Sequence, residues 1–582
     1  MLHLVGYNQF GNRILRQTKP IIIRIRPLCI NNNDSYFYQL LLKHRNWRSD
    51  AEIRGSYDNY RDRYLALFPD ALRQIQHENS AYIERTRFEF NQQFAVALDS
   101  ILHRLSNELS IRNIDILRMQ LLSLQPAPYI MPRSLTLNLP SDQYYVMNTL
   151  THWMGSMSND KYPYFFVTGS AGTGKTYIIR LLCQFLSTRR SKYLLMAPTG
   201  VAAQNIGGKT IHSELRITSS QSGFQTLVHH DVDLRNSLRE IDTIIIDEVS
   251  MVSAPLLSFI SNLFGQLHNN YYPFGGISVV VVDDLTQLPP VNGPPIYLSP
   301  VWSVFYPLFL TTSHCQETDM EFYELLEAVH YGNITSRLWN VLLTKYRELL
   351  YQLIDIDALT TYIVSYCKSA QKIDTSFCNM LVVEDDNFLL NDAIDYINNE
   401  LWENQSAQSL FKHRTNLPTT VRLQRGARVM FLNNQLFDVG ICNGTIGVVT
   451  NVDPDIKKVR VMFCSATGIR DVEISPITVS FHVNGNSASR TQFPLMNCFA
   501  ITVHKAQGLT LPKIGLFLDE QFFAPGQAYV ALSRASCLDN VAIHALNKEA
   551  FSVDRGVIAE YSRLQEHAQQ TPFGNCNFIN EQ

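Results

Sequence analysis

The run Gly169-Ser170-Ala171-Gly172-Thr173-Gly174-Lys175-Thr176 follows the order G-x-x-x-x-G-K-[ST]. That order belongs to a loop whose backbone N–H groups converge on phosphate oxygens. A strand expected at Tyr164–Thr168 leads into it and a helix expected at 177–186 leaves it, so a helix N-terminus adds partial positive charge at the same place. Lys175 would neutralise the β- and γ-phosphates, and the Thr176 hydroxyl would ligate Mg²⁺. A chance glycine turn would lack both flanking elements. Such a loop needs a metal-orienting acid at a neighbouring strand end, and Ile244-Ile245-Ile246-Asp247-Glu248 supplies one. Asp247 would hold the metal's hydration shell, and Glu248 would activate the attacking water. An acidic pair alone is a common helix start; beside a phosphate loop it becomes a catalytic candidate. A third strand ends in Asp283-Asp284-Leu285-Thr286-Gln287, where Gln287 could sense the γ-phosphate through water, against a plain turn as the competing reading. Upstream, Gln143 opens a helix with an amide able to pair with adenine, an assignment the residues alone leave open.

These side chains need a scaffold that brings strand ends together. Short β-branched runs at Tyr164–Thr168, Tyr193–Ala197, Thr243–Asp247 and Ser278–Asp283 alternate with helical stretches, the pattern of a parallel sheet wrapped by helices. Residues 36–124 read as helical, with Phe94, Leu98, Ile101, Leu102 and Leu105 on one face. An amphipathic layer with solvated charges is favoured there over a nucleic-acid surface. Pro126, Pro128, Pro132 and Pro140 mark a linker. From 421 to 499 short strands at Arg428–Phe431, 445–451, 458–463 and Ile477–Val483 suggest a small all-β insertion.

The chain has 582 residues with 49 Lys+Arg and 52 Asp+Glu. Its length predicts several domains. The net charge of −3 excludes a globally basic, histone-like protein but leaves room for a local basic groove. Its apolar runs fall far short of the ~20 residues of a membrane helix, so no membrane partner is expected. Ten cysteines contain no C-x-x-C pair, which argues against a zinc ribbon or a disulfide framework and for a reducing compartment. Arg13, Arg16, Lys19, Arg24 and Arg26 precede the first acidic residue, Asp34, as in a mitochondrial presequence, although the run from Ile21 to Ile25 reads as a folded or truncated beginning. An intracellular location is expected, the nucleus before the mitochondrion.

Six segments occur in order: GSAGTGKT at 169–176, APTGVAAQNIGGKTIHS at 197–213, IIDEVSM at 245–251, DDLTQLPPV at 283–291, AITVHKAQGLTL at 500–511 and GQAYVALSRAS at 526–536. Together they closely resemble the petite-integration-frequency (PIF) family of superfamily-one DNA helicases. Residues 37–57 resemble the region that precedes this helicase in Helitron-type transposon proteins. The resemblance implies an α/β fold with two RecA-like P-loop domains built on parallel sheets, at 131–312 and at 313–425 with 498–560. It further implies a small β-barrel inserted at 426–497, a wedge near 214–240, a mostly helical N-terminal region at 1–130 and a tail at 561–582. ATP with Mg²⁺ would bind between the domains, and single-stranded DNA would cross their tops. The activity implied is 5′→3′ unwinding of tailed duplex DNA in repair, recombination, telomere maintenance or transposition. On the same grounds Thr199, Thr210 and His212 would donate to DNA phosphates, and His504 and Lys505 would couple DNA to nucleotide. Gln507 and Gly508 would lie near the phosphates, and Arg534 would act as the arginine finger.

Two departures stand out. Asp283 occupies a position where the family usually has glycine, which would weaken nucleotide binding unless the side chain points away. Cys315 and His330 align with family arginines, and loss of a transition-state arginine slows turnover by about 10³-fold or more. A helicase remains the leading expectation; the alternative is a nucleotide-responsive single-stranded DNA-binding protein with impaired hydrolysis.

Overall fold

The computed structural model describes residues 37–570 except 39, 43–48, 58–59, 69, 107–110, 126–138, 156–162, 221–222, 313–318, 352–358, 382–387, 403–407, 466–467 and 484–485. Most of the linker, the run from Ile21 to Ile25, Cys315 and the last twelve residues, 571–582, lie outside the described residues.

A small unit made of residues 1–92 and 128–144 has its own apolar centre. Helices Asp50–Arg54 and Tyr60–Leu67 there bring Ile53 and Tyr64 against Phe37 and Leu41. The larger unit, residues 93–127 and 145–582, holds the rest of the architecture. Its first sheet has six parallel strands in the order Lys209–Thr210, Tyr193–Ala197, Thr243–Asp247, Ser278–Asp283, Tyr164–Thr168, Tyr306–Phe309. Every residue of Tyr164–Thr168 and of Thr243–Asp247 is buried, as expected of parallel strands covered on both faces. A second parallel sheet has four strands in the order Ala500–Thr502, Thr361–Val364, Ile514–Leu518, Val541–Leu546. The two RecA-like halves expected from the resemblance are therefore present.

Between Thr361–Val364 and Ala500–Thr502 lies an antiparallel region that begins earlier than residue 426. Strands Phe388–Asp392 and Ile394–Ile397 already belong to it, the first paired with Thr420–Gln424 and the second with Asn486–Gln492. Its strands form a five-stranded sheet, a four-stranded sheet and a two-stranded pair. The polar Asn391 and Asp392 break these early strands up, which hides them from an apolar-run reading. Arg490, fully buried, clamps Asp395 through two hydrogen bonds of 2.7 Å. The helical N-terminal region reaches the same sheets: Phe94, Leu98 and Leu102 join Leu117 and Leu121 against Val448, Met462 and Cys464.

Residues 214–240 hold a two-stranded ribbon, Ile217–Ser220 with Gly223–Thr226, and a helix, Val232–Arg239. The boundary expected at residue 560 falls inside the helix Arg555–Gln570. Val557, Tyr561 and Leu564 share one helical face, and that face enters the core of the first sheet. Trp302 Nε1 donates to Glu560 Oε1 at 2.8 Å on the same seam. No described helix is long and apolar enough to cross a membrane.

Candidate active site

Strand register aligns the chemistry at one edge. Thr168 lies opposite Asp283, and Asp247 lies opposite Val282, so the phosphate loop and both acidic motifs leave the carboxyl ends of adjacent parallel strands. A side chain at Gly169 would place its Cβ 2.5 Å from Leu310 O, which is why the loop begins with glycine. Lys175 opens the helix Lys175–Thr188, followed by the half-buried Thr176, and its ammonium donates to Gly169 O at 2.6 Å and Ser170 O at 3.0 Å.

Burial, reinforced by the charge of Glu248 and partly offset by Lys175, pushes the Asp247 carboxyl up to about 7. A carboxyl held there fits a divalent cation, because the cation restores the ionised form. Mg²⁺ takes one or two carboxylates and completes its shell with water and phosphate oxygens. Asp247 and Thr176 are the protein groups that would hold the ion. Glu248 sits at φ 51°, ψ 48°, a left-handed conformation that strains a non-glycine residue by about 1 kcal/mol. Its Oε2 accepts from Gln507 Nε2 at 3.1 Å, and a Cβ added at the adjoining Gly508 would lie 3.9 Å from Oε1. The candidate base thus meets a segment of the second domain directly.

The Asp283 question has a geometric answer. Its carboxyl turns onto the backbone, accepting from the N–H of Ser250 and, at 2.6 Å, from that of Asp284. Burial first, then the charge of Glu248, push this group well above the usual carboxylate range. Its neighbour Asp284 behaves in the opposite way. Asp284 Oδ1 accepts from His330 Nε2 at 2.9 Å, Thr286 N at 3.1 Å, Thr286 Oγ1 at 2.7 Å and the Tyr561 hydroxyl at 3.2 Å. Asp284 Oδ2 accepts from the Tyr529 hydroxyl at 2.8 Å. Burial would raise this carboxyl, but the charge and hydrogen bond of His330, with Lys175 and Thr286, hold it well below its ordinary value.

The remaining candidates fall into distinct settings. Gln287 is buried beside this junction, its N–H donating to Asp284 O at 3.1 Å and its Oε1 without a partner among the described residues. Arg534 is buried with its guanidinium on Val530 O, Leu509 O and Ser533 Oγ at 2.9, 3.2 and 2.8 Å, so this conformation engages it within its own domain. Thr199 and Thr210 cap the helices Gly200–Ile206 and Ile211–Glu214, while His212 is exposed. His504 is partly buried, and Lys505 Nζ contacts Met496 Sδ at 2.8 Å. Asn205 Nδ2 donates to Gly508 O at 3.0 Å, joining the segment that holds Thr199, Thr210 and His212 to the one that holds His504 and Lys505. Gln143 is buried in the first turn of the helix Ser141–Gly155.

Sequence reasoning missed the roles of Asp284, Tyr529 and Tyr561. Tyr529 lies inside a recognised motif and Asp284 inside another, so their motif positions were a usable signal; nothing local marks Tyr561. It also missed Gly526, where a Cβ would lie 2.4 Å from Thr286 O, a backbone approach between the two halves that only glycine permits.

A parallel sheet carrying a phosphate loop, an acid pair at the strand end next but one and a second RecA-like half define a P-loop protein of the two-domain motor class. A family model described as PIF1-like helicase matches residues 138–336. The ATP-dependent DNA helicase Pif1 of Bdellovibrio bacteriovorus is 30% identical over 413 residues, covering 69% of this chain and 88% of its own length. PIF6 of Trypanosoma brucei brucei, also an ATP-dependent DNA helicase, is 30% identical over 433 residues, covering 68% of this chain and 53% of its own, so the chain spans about half the length of that relative. Among solved structures, Pif1 helicase from Candida albicans superposes with a TM-score of 0.62 at 26% identity, covering 74% of this chain and 99% of its own. Bacteroides Pif1 bound to single-stranded DNA gives 0.60 at 25% identity, with coverage of 75% and 98%. The chain belongs to the PIF1-like helicase family.

Proposed function

We propose that the chain is an ATP-dependent DNA helicase that hydrolyses ATP between its RecA-like halves, translocates on single-stranded DNA and unwinds tailed duplex with 5′→3′ polarity. The observation that carries this reading is the hydrogen bond from Gln507 to Glu248, because the adjoining Gly508 accepts from Asn205, which lies in the segment that holds Thr199, Thr210 and His212. One segment therefore links the DNA side of both halves to the base that would activate water. Lys175 would neutralise the phosphates, Glu248 would orient the attacking water, and Gln287 would report the γ-phosphate. Mg²⁺, held by Asp247 and Thr176, would supply charge neutralisation at the phosphate oxygens. Arg534 would leave its carbonyl partners to approach the phosphates when the cleft closes, so hydrolysis would depend on closure. Names of the relatives support ATP and DNA as ligands; polarity, and duties in repair, recombination, telomere maintenance or transposition, rest on the family resemblance. Action in the nucleus, with the mitochondrion second, is part of the same proposal.

The deciding experiment is ATP hydrolysis by the purified chain with and without single-stranded DNA, followed by strand separation of duplexes with a 5′ or a 3′ tail. Stimulated turnover and separation of the 5′-tailed substrate alone are expected. ATP binding without turnover supports the second reading, a nucleotide-responsive DNA-binding protein, which the sequestered Arg534 and the histidine at 330 favour.

A further inference from the structure

Asp284 is fully buried, and its donors come from three other parts of the chain: His330 on the helix Met320–His330, Tyr529 on the helix Gln527–Leu532 and Tyr561 on the helix Arg555–Gln570. Two of these donors continue into the phosphate loop. The Tyr529 hydroxyl accepts from Ala171 N–H at 2.8 Å, inside the loop. The Tyr561 hydroxyl lies 2.8 Å from Thr168 Oγ1, at the strand end where the loop begins, and accepts from Leu285 N–H at 2.9 Å. Because the Tyr561 proton goes to Asp284, the Thr168 hydroxyl is the donor in their pair. One carboxylate thus ties the entrance and the middle of the phosphate loop to helices that follow the first sheet in the chain.

We propose that His330, acting through Asp284, and Tyr561, acting through its hydrogen bond to Thr168, are positioning residues for the phosphate loop. The inference rests on the ATP reading above and names how this chain holds that site. His330 is buried, and its Nδ1 has no partner among the described residues, so Asp284 is what anchors the ring. The groups facing it are Asp284, Tyr529 with ring centroids 5.0 Å apart, Tyr561 at 6.2 Å, the adjoining Tyr331 at 4.4 Å, and the more distant charges of Glu327 and Lys175. Burial alone would drive the imidazolium to lose its proton, but the charge and hydrogen bond of Asp284, aided by Glu327 against Lys175, hold it above its ordinary value. While His330 is protonated, Asp284 is a compensated anion that accepts from both tyrosines. Once the proton leaves, that charge is uncompensated in a dry setting and the junction loosens. Tyr561 carries the same restraint to Thr168 without any change of charge.

The test uses the full chain with a thymidine homopolymer as DNA and reads ATP turnover between about pH 6 and 9. The unmodified protein is expected to lose kcat on the alkaline side. His330→Arg, whose charge is permanent, should move that loss upward by at least about one pH unit. His330→Gln should give a lower profile that is flat in the same window. Tyr561→Phe, which removes the bonds to Thr168, Leu285 and Asp284, should lower kcat by about fivefold through the one bond that reaches the loop, while KM for ATP changes by less than about twofold. Superimposable pH profiles for the unmodified protein and His330→Gln overturn the role of His330, whether or not His330→Arg folds. A Tyr561→Phe protein with unchanged kcat and only a lowered melting temperature overturns the role of Tyr561. Failure of the ATP reading looks different: no binding of a fluorescent ATP analogue to the unmodified chain at any pH.

Discussion

Asp283 and Asp284 are consecutive, equally buried and set at the same sheet edge, yet their carboxyls are driven in opposite directions. Asp283 receives two backbone N–H groups but faces the charge of Glu248. Asp284 receives an imidazole, two tyrosine hydroxyls and Thr286, and its nearest full charge is of opposite sign. Burial is common to both and therefore decides nothing between them. What separates them is the sign of the neighbouring charge and the number of donors.

That contrast can be broken from outside or from within. Lys175 acts on both sides of the edge, lowering the carboxyls of Asp247 and of Asp284, and it is the cation that would meet the phosphates. Lys175→Ala should reduce DNA-stimulated ATP turnover by about 10³-fold, measured as phosphate release; retained turnover within tenfold would remove the site from this loop. Asp284→Asn should destabilise the fold by about 3–5 kcal/mol, read from the denaturant midpoint, because it leaves His330 without its counter-charge. Its pH dependence carries a definite sign. The lowered carboxyl of Asp284 contributes stability that is present above its unfolded value of about 3.9 and is lost as pH falls further. The raised His330 contributes stability that is complete below about 6.5 and is lost as pH rises through its folded value. The unmodified protein should therefore be more stable relative to Asp284→Asn near about pH 5 than at about pH 9; a constant difference would break the assignment. Gly526→Ala should cost about 2 kcal/mol and impair turnover, since its Cβ would press on Thr286 O beside Gln287 at a backbone φ of 80°.

The contrast also explains what could be read in advance. Local patterns announced the first sheet, because parallel strands buried on both faces are continuous apolar runs, and Tyr164–Thr168, Tyr193–Ala197, Thr243–Asp247 and Ser278–Asp283 all lie at the expected positions. The loop and acid pair were legible for the same reason, each being a contiguous motif at a strand end. The junction at Asp284 was not, because its partners lie 46, 245 and 277 residues away in sequence. Tyr561 in particular lies in a polar helix whose apolar face is only three residues wide, and its role exists only once the chain returns to the first sheet. The early strands of the antiparallel region failed for another reason: Phe388–Asp392 is polar at its end and lacks a regular buried–exposed alternation, so local propensity does not mark it.

Asp283→Asn has the smallest expected effect and isolates the other half of the contrast. Asp283 offers one oxygen to Ser250 N–H and the other to Asp284 N–H, whereas an asparagine has a single acceptor oxygen. The variant therefore loses one of the two hydrogen bonds, about 1 kcal/mol, and at low pH it should be the less stable protein. The raised folded value of Asp283 reverses the balance as pH increases. An acid that prefers its neutral form in the folded state loses stability as pH rises above its unfolded value of about 3.9, because the unfolded chain ionises first. Asparagine has no such dependence, so the stability difference between the two proteins should shrink as pH rises above about 4 and pass in favour of the variant within about one further pH unit, since each unit is worth about 1.4 kcal/mol. Chemical denaturation at several pH values reads this directly. A difference that grows with pH would show that Asp283 is ionised in the fold, and that its two N–H donors outweigh both burial and Glu248.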